Sequence, residues 1–222
     1  MDFLAELAQN NERAWFQPRK AEFERLLRRP MEALVGALAE RFDARDIPLR
    51  ADPRRSIFRI YRDTRFAKDK SPYKTHLGAN FPWIQRGTDH DAVDDGAHAN
   101  GGYIHLQPGN HFVGGGLWKA TKPRLDAFRR AIVDDPGRVR AALEDPVFLA
   151  ALGPVFSQES LKRFPPGWPA DHPMADLFRY KDIVFSRRLD DGEIGSPDLP
   201  DILADTYSAA MPVFRFLARL GD

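Results

Sequence analysis

The 222-residue chain contains no cysteine, which excludes disulfides, thiolate nucleophiles, iron-sulfur ligation and every cysteine-based zinc motif. It has no uncharged apolar run long enough to span a bilayer, and Asp2 and Glu6 precede its first basic side chain, Arg13, where a secretory leader would be cationic. A soluble, cytoplasmic protein with no membrane partner is expected. Net charge of either sign is also lacking, since 33 Lys and Arg face 32 Asp and Glu for a balance of +1. With a pI near 8.0 the chain lacks the overall basicity of bulk nucleic-acid binders. The GxSxG, HExxH, Walker and GxGxxG patterns are missing as well, so no motif names a cofactor or a metal. What is present, 43% hydrophobic and 11% aromatic residues, is the composition of an ordered chain with a sizeable core.

Charge balances over the whole chain but not along it. Residues 53–76 carry eight Lys or Arg against two Asp, a local balance of +6. Two acidic segments answer this block. Residues 88–98 hold Asp89, Asp91, Asp94 and Asp95, and residues 189–205 hold Asp190, Asp191, Glu193, Asp198, Asp201 and Asp205, neither with a Lys or Arg. Charges this dense must be solvated, paired or turned toward a partner of opposite sign.

Hydrophobic spacing orders the elements. Phe23, Leu26, Leu27, Leu34, Leu38 and Phe42 keep helical period across Pro30, which should kink the helix or start a new one. Residues 56–62 have strand composition, with Phe58 and Ile60 on one side and Arg59 and Tyr61 on the other. Residues 77–84 read as a second strand, followed by a Gly, Asp and His loop to Gly101. From Gly102 to Trp118 alternation around Pro108-Gly109-Asn110 predicts a hairpin, with Gly114, Gly115 and Gly116 suggesting a bulge or a close approach in its returning strand. Helices are expected after Thr121, Asp135-Pro136, Asp145-Pro146 and Ser196-Pro197, the last kinked at Pro212, and a late strand over 181–187. No repeat or linker divides the chain. The reading is one α+β domain over 1–222, a largely antiparallel sheet with helices packed on one face.

The strings RIYRDTRFAKDKSPYKTHLGANF (59–81), GGYIHLQPGNHFVGGG (101–116), LKRFPPGWPADHP (161–173) and KDIVFSR (181–187), with Asn10, Asn11, Arg13, Trp15 and Phe16 at the start, are similar to the successive blocks of the bacterial and fungal domain-of-unknown-function family numbered 2461. Lys119-Ala120, where that pattern leads one to expect a proline nearby, and the loop 88–100 depart from it. The resemblance implies a single domain over nearly the whole length and brings no activity, cofactor or catalytic residue with it.

Function must therefore be read from the residues. The leading expectation is a pocket for a phosphate-bearing or otherwise anionic small ligand, with Arg59, Arg62, Arg65, Lys70 and Lys74 as anion clamps and Tyr73 stacking. His105 would transfer protons, and the amides of Gly114, Gly115 and Gly116 would form an anion nest. His76, His105 and His172 lie in separate blocks that folding could bring together. Two alternatives stand beside this. The basic block could dock an acidic partner protein or, less favoured, single-stranded nucleic acid, or it could be an internal ion-pair network. The glycine run, likewise, would simply make room for a packed helix.

Overall fold

A computed structural model describes residues 1–65, 68–84 and 100–220. The expected acidic loop over 88–98, with its two histidines, lies outside the described residues, as does Phe66.

The chain opens with helix α1 (Asp2–Gln9), breaks over 10–12, and from there stays helical through α2 (Arg13–Phe16), a 3-10 turn, α3 (Lys20–Phe23), a π-helical segment over Glu24–Arg28 and the long α4 (Arg29–Ala44). Pro30 stands in the first turn of α4, as expected of a proline that starts a helix, and the π segment runs directly into it. A proline removes one intrahelical donor, and the wider π turn just before it takes up the mismatch. Beyond it Met31, Val35, Leu38 and Phe42 turn one buried stripe inward.

Four strands form one antiparallel sheet in the order β1 (Leu77–Pro82), β2 (Asn100–Leu106), β3 (His111–Leu117) and β4 (Ile183–Leu189). The expected hairpin is β2–β3, with Gly109 at φ 71° in its turn. The expected bulge is not formed, because β3 pairs with β4 from His111 to Leu117 without a skipped position. Residues 56–62 make no full strand. Ile57 bridges Ala79 of β1, and then the chain bends and Tyr61 bridges Tyr73. That bend puts Ile57 and Ile60, rather than Phe58 and Ile60, in the core.

Between β3 and β4 run α5 (Lys122–Asp134), α6 (Pro136–Leu143) and α7 (Pro146–Leu152), and after β4 come α8 (Asp191–Gly195), α9 (Leu199–Ala209) and α10 (Met211–Ala218). Thr121 makes no side-chain cap, whereas Asp135 accepts from Arg138 N–H and Asp145 from both Val147 and Phe148 N–H. Asp145→Ala is expected to cost about 1 kcal/mol, read as a lower urea midpoint at unchanged slope. Pro212 splits the last helix into α9 and α10. Among the described residues no helix is long and apolar enough to cross a membrane.

Helices cover one face of the sheet. Gly102 and Gly115 point to that face, where a Cβ would lie 2.6 Å from the Tyr207 ring and 2.8 Å from the Phe214 ring. Here the glycine run does make room for packed helices. The acidic tract 189–205 serves this side too, since Asp201 pairs with Arg41 and Arg45 at 2.8 Å and Glu193 with Arg187 at 2.8 Å. These pairs tie α9 to α4 and α8 to β4.

Candidate functional site

The uncovered face of the sheet carries a cavity of about 600 Å³. The strand register arranges its floor in three rows. Pro82, Gly101, Gly116 and Val184 make the first, Asn80, Tyr103, Gly114 and Ser186 the second, and His105 and Phe112 the third, whose register neighbours Gly78 and Arg188 do not line the cavity. Phe156 extends the first row, exchanging backbone hydrogen bonds with Val184 at 2.8 and 3.0 Å. The rows differ in chemistry, from bare backbone at one end to aromatic and polar rings at the other.

Glycine is imposed on this floor by the backbone. A Cβ would approach Phe81 O to 2.6 Å at Gly101, Phe185 O to 2.4 Å at Gly114 and Ile183 O to 2.2 Å at Gly116, whose φ is also 113°. The expected nest of amides is not assembled. β3 is flanked on both sides, so its N–H groups are directed along the sheet into the ladders with β2 and β4 and not into the cavity. What the cavity gains is a flat patch without side chains.

At the opposite end the rings interlock. Gly78 leaves the space in which the Tyr103 hydroxyl lies, at 2.7 Å from where a Cβ would stand. From there Tyr103 Oη meets His105 Nδ1 at 2.9 Å, and His105 Nε2 meets Gln107 Oε1 at 3.0 Å. Both imidazole nitrogens are engaged when the hydroxyl donates to Nδ1 and the ring proton on Nε2 is accepted by Gln107. The ring is held flat between Phe112, centroids 4.7 Å apart, and His76, centroids 4.4 Å apart. His76 and His105 therefore do meet, whereas His172 packs on Phe178, away from them.

Electrostatics at this end favour neutral rings beside one cation. His76 is held down to about 4, first by burial and then by His105, Lys74 and Arg62. Burial also lowers His105, with His111 adding and the Gln107 bond opposing. The Lys74 ammonium sits 5.0 Å over the Phe58 ring and is lowered by burial and by Arg59. Burial pushes the Tyr103 hydroxyl up to about 12. No Asp or Glu lines the cavity among the described residues, so Lys74 meets no carboxylate there.

The remaining basic residues go elsewhere. Residues 59–65 and 68–74 lie back against one another, Arg62 N–H donating to Pro72 O at 2.9 Å and Lys74 N–H to Ile60 O at 2.7 Å. In the tip of this arch Arg62 pairs with Asp69 and Ser71, Arg65 with Asp63 at 2.6 Å, and Lys70 donates to Thr64 O at 2.9 Å. Asp63 and Asp69 are accordingly held near 2. Arg59 is exposed. Tyr73 is 1% exposed and stacks on Phe16 at 4.1 Å, with its backbone clamped by the Asn11 amide at 2.9 and 3.0 Å. It is an anchor of the amino-terminal core and does not reach the cavity. Of the residues expected at the site, the fold brings together Lys74, His105, Gly114, Gly115 and Gly116.

Sequence reasoning missed Phe58, Phe112, Trp118, Phe156 and Gln158 as lining residues. Phe112 shares strand parity with Gly114 and Gly116, a usable signal, whereas Phe156 and Gln158 come from irregular chain and carried none. Ser71-Pro72-Tyr73-Lys74 also has the S-x-x-K spacing of a serine nucleophile with a lysine base. The pair is not assembled, since Ser71 Oγ bonds Asp69 at 2.8 Å while Lys74 lies over Phe58. Among the described residues no three His, Asp or Glu side chains converge to hold a metal ion.

Comparison with curated proteins and with solved structures finds no match. Against protein families there is a match over residues 1–216, and the chain belongs to DUF2461, described as a conserved hypothetical protein.

Proposed function

We propose that the open face of the sheet binds a small organic anion, its charged group beside Lys74 and His76 and its apolar body over the glycine floor. The observation that carries this is a half-buried ammonium in a cavity whose described lining has no carboxylate. One cation beside two neutral imidazoles suits a single negative charge. A buried charge without a counterion is costly, and an incoming carboxylate or phosphate monoanion relieves that cost. Docking of an acidic protein or single-stranded nucleic acid on the arch is the weaker reading, because Arg62 and Arg65 already have aspartate partners.

Calorimetric titration with 2-naphthoate against the uncharged 2-naphthalenemethanol tests the charge requirement. The acid is expected to bind at least tenfold tighter, about 1.4 kcal/mol, and Lys74→Met to abolish the difference with the fold intact. Equal affinity for acid and alcohol would sink the reading.

Proton uptake should accompany binding. His76 faces Lys74, Arg62 and His105, all of which disfavour its charge or compete for it, and Tyr103 is neutral. A bound anion reverses that balance and raises the His76 pKa. Affinity is therefore expected to rise as pH falls from 7 toward 5, and this rise should vanish in His76→Asn. His105, engaged at both nitrogens, holds the His76 ring by stacking in this scheme.

A further inference from the structure

We infer that the apolar part of the ligand is a planar aromatic ring system, so that the site selects aromatic monoanions over aliphatic ones; this rests on the anion reading above. The shape of the floor carries the inference. Gly101 and Gly116 face each other across β2 and β3, and Gly114 lies two residues along. With strands about 4.8 Å apart and alternate residues about 7 Å apart, the bare patch measures about 5 by 7 Å. That is the footprint of an aromatic ring laid flat on peptide groups.

A second, independent observation is the rim. Trp118 is 43% exposed and Phe156 is 38% exposed, both lining the glycine end of the cavity. The Phe156 backbone is fixed there by its paired bonds to Val184, and its exposed side chain lies outside the core. Large exposed aromatics beside a concave apolar floor mark a recognition surface.

Length agrees with more than one ring. The first and third rows are four residues apart along a strand, about 13 Å. A charged group at Lys74 and a body reaching the glycines span most of this, which one ring alone does not. An alkyl chain could reach equally far, but it loses rotamer freedom on binding and gains no ring-on-ring contact. Several restricted torsions and two aromatic contacts together exceed the 1.4 kcal/mol of a tenfold preference.

The experiment titrates the full chain with 2-naphthoate and octanoate. Naphthoate is expected to bind at least tenfold tighter. Ser186→Phe, which covers the floor beside Gly114, should weaken naphthoate at least tenfold, and Trp118→Ala, at an exposed position that does not support the core, should weaken naphthoate more than octanoate. Equal affinity for the two acids, or naphthoate binding unaffected by both substitutions, overturns the ring inference while leaving the charge reading to the acid-against-alcohol comparison. Binding of naphthalenemethanol as tightly as naphthoate, with octanoate weak, upholds the ring and overturns the charge. Binding of neither acid overturns both.

Discussion

Gly115→Val is expected to unfold the protein or leave it barely folded. A Cβ at this position would stand 2.6 Å from Gly101 O, 2.8 Å from the Phe214 ring and 3.0 Å from the Phe185 ring. None of these neighbours yields easily. The carbonyl belongs to the β2 ladder, and Phe214 and Phe185 are fully buried, with centroids 5.2 Å apart. Overpacking of this kind costs about 3 kcal/mol or more, a large share of the 5–15 kcal/mol that holds a typical domain together. Gly109→Ala is the control. Its φ of 71° carries a backbone penalty of about 1 kcal/mol, but nothing lies within 4 Å of the new methyl group. Urea midpoints and near-ultraviolet circular dichroism should separate the two variants clearly, and a Gly115→Val protein as stable as Gly109→Ala would mean that Phe214 does not pack on β3 as described.

The second large expected effect is acid lability. His76 binds its proton at about 4 when folded and at 6.5 when unfolded. The unfolded chain therefore carries more protons between those values, so stability rises with pH across this window and is complete above it. Lowering the pH from 7 to 4 withdraws it. The full linkage is about 3 kcal/mol, reduced to about 2 kcal/mol because part of the ring is open to water. His105 shifts in the same direction and adds to the loss. The carboxylates act in a separate range, since Asp63 and Asp69 titrate near 2 and keep their partners until the pH falls below 4. Thermal midpoints followed from pH 7 to 4 should fall for the native chain and fall less for His76→Asn. A flat profile in this interval would show that the His76 ring is solvated and the cavity end is not as closed as described.

The parts of this architecture written in neighbouring residues were legible in the sequence. Asp135 and Asp145 cap helices through bonds spanning two or three residues, and the β2–β3 turn needs only Pro108-Gly109-Asn110. His105 followed from strand parity, which assigns a face without knowing what lies on it, and the glycine run was singled out for an amide nest that the ladders with β2 and β4 preclude. The basic block failed on two grounds, one long-range for Tyr73 and one within the block itself for Arg62 and Arg65. Whether Tyr73 could meet a ligand depends on Phe16 and Asn11, more than fifty positions away, and they bury it. Whether Arg62 and Arg65 were available depended on the path of the arch, which bends each back onto an aspartate that the charge sum had already counted. Net charge over a window says how many cations exist, not where their heads point. The aromatic rim escaped for a related reason, because Phe156 joins the sheet by a single bridge that no periodicity announces.

The ion pairs that clasp α4 and its C-cap to α9 join residues 156 and 160 positions apart. During synthesis at about 5–20 residues per second, α4 emerges from the ribosome roughly 8 to 30 s before its partner exists. Throughout that interval Met31, Val35, Leu38 and Phe42 have no α9 to close over them. Phe42 can meet Phe81 of β1 early, but its contact with Tyr207 and the closure of the stripe by α9 are among the last events of synthesis.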